Sequence, residues 1–372
     1  MMKNKDKENK IKIALISYSL SSGGLERAVA NASFMYHEMG HEVHLHVLES
    51  DAKYPHAGKL FLYNINHQSF SKKVQEYLLL KNNLKKNNYD IIIDHRYRIN
   101  PWSEFCWQKY IYRKLKVVNY IHSSRIKNYL SSFNKAVIKF IFGNRVFISV
   151  SKGIENITKE KFPFIALKTI YNTVKISNNV NQKTSIEAAP YITTISRMDK
   201  TNVKQIDVLL ECFAKSKLPE NDYKLIIIGS GERQSEMEKL AEQLKIADQV
   251  LFTGFLDNPY QYLKNAFFTV LTSKYEGLGI VLIESLMLGT PVVSYDCEKG
   301  PNEIIINEEN GLLVDNQNKK AFIEAMNRMI SEPELYQKLK SNAIKSVEKF
   351  SIHQIKYEWE KFLNNEIVSD KY

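Results

Sequence analysis

Short apolar runs alternate along the chain with longer stretches in which apolar side chains recur every three or four positions. The short runs fall at residues 12–17, 42–48, 90–94, 117–121 and 145–150, then again at 191–196, 224–229, 250–253, 267–272, 291–294 and 311–314. Runs of this length that are apolar throughout predict strands covered on both faces, and so parallel sheets. The periodic stretches between them, such as 25–39 ending at Gly40 and 232–244, predict amphipathic helices. Strand and helix in regular alternation give an α/β chain made of two Rossmann-like, doubly wound domains.

A polar stretch separates the two series, which sets the expected organisation. Residues 1–10 form a charged tail, 11–176 a first domain, 177–189 a linker and 190–350 a second domain. Residues 351–372 form a C-terminal helix free to cross back to the first domain. With 372 residues, each domain can bury a core of its own.

Charge divides at the same boundary. Residues 1–175 carry 29 Lys and Arg against 13 Asp and Glu, the remainder 23 against 28, within a net charge of +11. The first half is expected to meet an anionic partner: a membrane surface, an anionic acceptor or nucleic acid. The basic residues cluster at Lys81/Lys85/Lys86, Arg96/Arg98, Arg113/Lys114/Lys116, Arg125/Lys127 and Lys135/Lys139, with Phe133, Phe140 and Phe142 near the last set. Cys106, Cys212 and Cys297 stand far apart, which excludes a disulfide framework and a Cys-based zinc site and fits a reducing, cytoplasmic compartment. The opening residues lack the apolar core of a signal peptide, and no apolar stretch approaches the length of a membrane span.

Five segments at strand ends carry candidate chemistry. Gly23-Gly24 follows the first strand and opens a helix, so backbone amides and the helix dipole can meet an anion there, or the glycines serve a tight turn. Arg197 and Lys204, after the strand at 191–196, can clamp a diphosphate without a metal ion; solvated surface cations are the plainer reading, and Lys200 is the alternative lysine. Gly229 and Gly231 form another turn into a helix, and Phe255 follows Gly254 where a ring could lie beside a nucleobase. The fifth segment, Glu276-Gly277-Leu278-Gly279-Ile280 with Glu284, places one carboxylate in a glycine loop and a second about two helical turns on. Its amides suit phosphate, and its carboxylates suit sugar hydroxyls. No D-x-D metal motif and no G-x-G-x-x-G fingerprint after the first strand is present.

From Glu276 to Glu284, and on through Gly289-Thr-Pro291-Val-Val293, the sequence resembles the retaining glycosyltransferases of family four, also called group one. The likeness is strong over 190–315 and looser at Gly23-Gly24 and at Tyr171-Asn172, where Thr173 stands in place of the usual proline. Gly300-Pro-Asn-Glu303 resembles a segment of bacterial surface-polysaccharide members. The resemblance implies a GT-B fold, with its two domains facing one another across a cleft, and sugar transfer with retention from a nucleoside diphosphate sugar, a UDP-sugar foremost. It implies no cofactor and no metal. Glu276 would bind the donor sugar, Glu284 the ribose, Arg197 and Lys204 the diphosphate, and Gly23-Gly24 phosphate and acceptor. His122, after the strand at 117–121, would face the donor sugar, with His95 as its rival. The implied acceptor is a glycan or polyprenyl-linked glycan at the inner face of the cell membrane, and nucleic acid is not an expected partner. A nucleotide-sugar epimerase of the same fold and a polyanion-binding module without catalysis are the competing readings.

Overall fold

The computed structural model describes residues 10–21, 23–66, 69–130, 134–176 and 189–368; nearly all of the expected tail, residues 177–188 of the expected linker, and Phe133 lie outside the described residues. The chain forms two compact units, one drawing on the chain up to Thr173 and again from Ser351, the other spanning Val174–Phe350.

The first unit holds strands β1 (Lys12–Ser17), β2 (Glu42–Val47), β3 (Lys59–Leu62), β4 (Ile91–Asp94), β5 (Val117–Ile121), β6 (Val146–Ser149) and β7 (Ala166–Thr169). They lie in the order β3-β2-β1-β4-β5-β6-β7, and neighbouring strands pair in parallel. The second unit holds β8 (Tyr191–Ile195), β9 (Lys224–Ile228), β10 (Val250–Gly254), β11 (Thr269–Leu271), β12 (Val292–Asp296) and β13 (Gly311–Asp315). Their order is β10-β9-β8-β11-β12-β13, again parallel. In each sheet the chain winds outward from its first strand, then returns to that strand's other side. This reversal falls between β1 and β4 and between β8 and β11, where a doubly wound sheet opens a crevice at its carboxyl edge.

Burial explains the strands. Ile91, Ile92 and Ile93 of β4 have no exposed surface, and neither do Leu225, Ile226 and Ile227 of β9. Two strands, β3 and β7, were not anticipated from the apolar pattern. Both close an edge of the sheet, where one flank has no strand to cover it, and both tolerate lysine, at Lys59 and Lys168. The helix Ile352–Val368 belongs to the first unit: Trp359, 2% exposed, meets Tyr36 edge-on at 5.2 Å, and Lys356 pairs with Glu38 at 2.9 Å.

Arg96 and Arg98 depart from the expected basic surface, because both are buried. Arg96 bonds Asp94 at 2.8 and 3.0 Å, reaches Glu104 at 3.3 Å, and lies over the Trp107 ring at 3.5 Å. Arg98 donates to the carbonyl oxygens of Asp94 and Tyr120. These two cations brace the turn after β4 and leave no charge for an outside partner.

Histidines are buried beside the same sheet. His46 has no exposed surface; its ring nitrogens meet the hydroxyls of Tyr63 and Tyr89, each at 2.8 Å, and it stacks on Phe61. Burial, with a smaller effect of His44, pulls its pKa down to about 3. Burial does the same to His95, also to about 3, and takes His122 well below its usual value. Unfolded, these imidazoles take up protons as pH falls below about 6.5, whereas the folded protein resists doing so. Their neutral burial therefore leaves stability intact above that pH and erodes it on acidification toward pH 3. By pH 5 His46 and His95 each cost about 2 kcal/mol. The melting midpoint, followed by circular dichroism, should fall steadily from pH 7.5 to 5.0; a flat or rising midpoint would contradict it.

Candidate active site

In the second unit the segments after β8 and β11 are bound together. Lys274 N donates to Val203 O at 2.8 Å, and the Thr272 hydroxyl reaches the carbonyl oxygens of Lys204 and Gln205 at 3.0 and 3.1 Å. Gln205 takes a left-handed conformation (φ 49°) to start the helix Ile206–Lys215. With the backbone so held, Lys204 Nζ meets Glu276 Oε1 at 2.5 Å. The Ser273 hydroxyl donates to the same oxygen at 2.6 Å. Glu276 is 11% exposed and Lys204 30%, so the pair is sheltered yet open to a ligand. Lys200, the alternative lysine, is exposed.

Beyond Glu276 the chain passes through Gly277, the buried Leu278 and Gly279, whose φ of 89° starts the helix Ile280–Met287. The first turn of that helix offers amides without helical partners, and its dipole favours an anion. Glu284 lies on the same helix, 2% exposed, with the Tyr260 hydroxyl 3.2 Å from Oε1.

Arg197 is not drawn to Glu276. It is 58% exposed and pairs with Asp199 at 2.9 Å. Burial would raise the Asp199 pKa, but hydrogen bonds from Thr201 and the charge of Arg197 bring it below its usual value. Gly229 and Gly231 have a steric reason to be glycine: a Cβ would stand 2.2 Å from Ser196 O at the first and 2.1 Å from Met198 O at the second. Phe255, 52% exposed, projects after β10.

Three neighbours were missed in the sequence. Ser273 sits three residues before Glu276, an ordinary spacing that carries no signal of their hydrogen bond. Arg233 approaches Asp207 at 3.8 Å, and its backbone amide donates to Met198 O, which ties the turn after β9 to that after β8. Cys297 is buried, and burial, reinforced by the Glu276 carboxylate, pushes its thiol up to about 12. Its isolation in sequence gave no signal.

In the first unit, His95 and His122 are partners rather than rivals: His95 Nδ1 and His122 Nε2 are 2.8 Å apart, and both rings stack on Tyr120. Gly23 (φ 104°) precedes the helix Gly24–Glu38, and a Cβ on Gly24 would meet nothing within 4 Å. Among the described residues, no three His, Cys, Asp or Glu side chains converge as metal ligands would.

Two parallel, doubly wound α/β units define the GT-B architecture. Comparison with known proteins narrows this. The family model "Glycosyl transferases group 1" matches residues 176–346, and "Glycosyltransferase Family 4" matches 22–178. The chain belongs to this family of glycosyltransferases, in the company of bacterial polysaccharide enzymes. It is 27% identical over 352 residues to the N-acetylgalactosamine-N,N'-diacetylbacillosaminyl-diphospho-undecaprenol 4-alpha-N-acetylgalactosaminyltransferase of Campylobacter jejuni, covering 89% of this chain and 93% of that protein. Over 198 residues, 53% of this chain and 39% of the relative, it is 29% identical to the poly(ribitol-phosphate) alpha-N-acetylglucosaminyltransferase of Staphylococcus aureus. Its fold matches S. aureus TarM, solved with fondaparinux, alpha-GlcNAc-glycerol and UDP, with a TM-score of 0.76 at 18% identity over 95% of this chain and 100% of that one.

The glycine geometry separates folding from binding. Gly231→Ala should lower the urea midpoint, destabilising the protein by about 2 kcal/mol or more, because the new methyl meets backbone. Gly24→Ala should leave it unchanged or up to about 1 kcal/mol more stable. Equal midpoints for the two variants would contradict these assignments.

Proposed function

We infer that the protein transfers a sugar, with retention, from a UDP-sugar to a lipid-linked glycan during bacterial surface-polysaccharide synthesis. The observation that carries this reading is the Lys204–Glu276 pair at the joined ends of β8 and β11. Without donor, the two side chains satisfy each other. An arriving diphosphate draws Lys204 Nζ, and Glu276 is released to accept hydroxyls of the transferred sugar while Ser273 keeps it in place. Arg197, exposed and tethered only to its neighbour Asp199, swings to the other phosphate oxygens, and the helix start at Gly279–Ile280 adds its dipole. Glu284 takes the ribose, and Phe255 lies beside the base. The bond from the anomeric carbon to the diphosphate breaks as the acceptor oxygen bonds the same face, and the departing phosphate takes the acceptor's proton. Fixed positive groups stabilise the charge that develops on the leaving group, so the site does not call for a metal ion. His122, its orientation set by His95, contacts the donor sugar, and Gly23-Gly24 gives phosphate and acceptor close access to backbone.

If this is right, Glu276→Ala lowers turnover by about a hundredfold or more, the scale of losing one preorganised contact. Product released with a panel of nucleotide sugars, with and without acceptor, is the measurement. Near-normal transfer by a folded Glu276→Ala protein would reject the role of Glu276. Product formed equally well without acceptor would favour an epimerase.

The acceptor side of the reading rests on a surface of the first unit. Trp102 is 76% exposed, Phe140 64% and Tyr110 60%; Phe105 stacks on Phe140, and Lys109 lies over the Phe140 ring at 5.3 Å. Lys109, Lys114, Lys135 and Lys139 surround these rings in sequence and are exposed or partly so. No helix among the described residues is long and apolar enough to cross a membrane. Exposed rings ringed by lysine suit shallow insertion into an anionic leaflet, where each cation contributes about 1 kcal/mol. Cosedimentation should therefore require anionic vesicles, fall as salt rises, and weaken in Trp102→Ser/Phe140→Ser. Equal recovery with neutral vesicles, or none with either, would reject docking.

A further inference from the structure

Tyr260 opens the short helix Tyr260–Asn265, which follows β10, and it is 4% exposed. Its hydroxyl donates to Lys175 O at 2.8 Å and stands 3.2 Å from Glu284 Oε1. Lys175 lies one residue inside the second unit, so all three residues belong to the same body. A phenol carries one proton, and here that proton faces two oxygens.

The short helix is gripped by contacts that do not involve this hydroxyl. The Thr290 hydroxyl, just before β12, donates to Leu263 O at 2.8 Å. The Tyr191 hydroxyl donates to Tyr262 O at 3.0 Å, and Leu263 has no exposed surface. The phenol is therefore placed by its own helix, whereas Glu284 meets it from the helix Ile280–Met287. A tyrosine turns about two torsions only, so holding it costs little entropy. The last torsion of a glutamate is broad and roughly two-fold, and its carboxylate plane is loose unless something fixes it. A phenol held at Oε1 fixes that plane, and with it the direction in which the other oxygen accepts. The bond to Lys175 O anchors the hydroxyl from its far side and keeps it where the carboxylate needs it.

We propose that Tyr260 is a positioning residue for Glu284: it aims the carboxylate at the cis-diol of a ribose and makes the site discriminate ribonucleotides from 2′-deoxyribonucleotides. The proposal rests on the reading in which Glu284 takes the ribose. A site built to hydrogen-bond a hydroxyl rejects the analogue that lacks it, because the polar group of the site is then left without its partner. A carboxylate that can turn finds another partner and loses that selectivity; one pinned by a phenol does not.

Calorimetric titration of UDP and of 2′-deoxy-UDP into the full chain reads the ratio of the two affinities. Wild type should prefer UDP by about tenfold or more, the scale of a hydrogen bond to a charged group. Tyr260→Phe keeps the ring and removes only the hydroxyl; the preference should fall to about threefold or less, chiefly through weaker UDP binding. Glu284→Ala should bring the ratio to about one. Thr290→Val loosens the far end of the short helix and leaves the phenol intact; it should lower the ratio by about twofold or more, and it carries the test where Tyr260→Phe does not fold. A preference lost in Glu284→Ala but kept in the other two variants would overturn the positioning role and leave Glu284 on the ribose. Equal weakening of both nucleotides by Tyr260→Phe would reveal a structural tie alone and overturn it as well. A preference kept in Glu284→Ala would remove the ribose reading itself, and the proposal with it.

Discussion

The candidate active site depends on the joining of two strand ends. Parallel pairing delivers β8 and β11 side by side with their carboxyl ends together, but pairing stops where the strands stop. Beyond it, the Thr272 hydroxyl and the Lys274 amide carry the alignment into the loops by gripping the backbone from Val203 to Gln205. Only then can a lysine and a glutamate 72 residues apart share a hydrogen bond. Their charges offset each other in a half-buried place, and that compensation is what lets both persist there.

The first unit handles charge in the opposite way. Asp94, Arg96, Arg98 and Glu104 are buried together, and the energetic cost is met by pairing inside the protein. Burial acts to raise the Asp94 pKa, yet the two guanidinium groups hold it below its usual value; Glu104, where burial prevails, is raised. The network stiffens the turn that ends β4, and beside it His95 and His122 share a hydrogen bond as neutral rings. The network is two cations against two carboxylates, so it takes Arg96 and Arg98 from the surface while leaving the unit's net charge as it was.

Much of this architecture was legible in the residues. Continuous apolar runs such as Ile91-Ile92-Ile93 declare a strand buried on both faces, and the glycine loop from Glu276 to Gly279 announces a strand end with chemistry on it. Edge strands β3 and β7 were not legible, since an edge asks for less apolar surface. The buried state of Arg96 and Arg98 was hidden as well: their partners Glu104 and Tyr120 lie on other elements, and only the fold brings them near. The His95–His122 pair and the Cys297 thiol beside Glu276 were hidden for the same reason. Contacts between strand ends depend on the order of strands in the sheet, and periodicity carries no information about that order.

The most direct test of the central claim is calorimetric titration of UDP into the full chain in the presence of EDTA, comparing wild type with Lys204→Met. The account predicts that wild type binds UDP with chelator present and that Lys204→Met loses at least tenfold in affinity, about 1.4 kcal/mol. Unchanged affinity in a folded Lys204→Met protein, or binding that appears only when a divalent ion is restored, would contradict it.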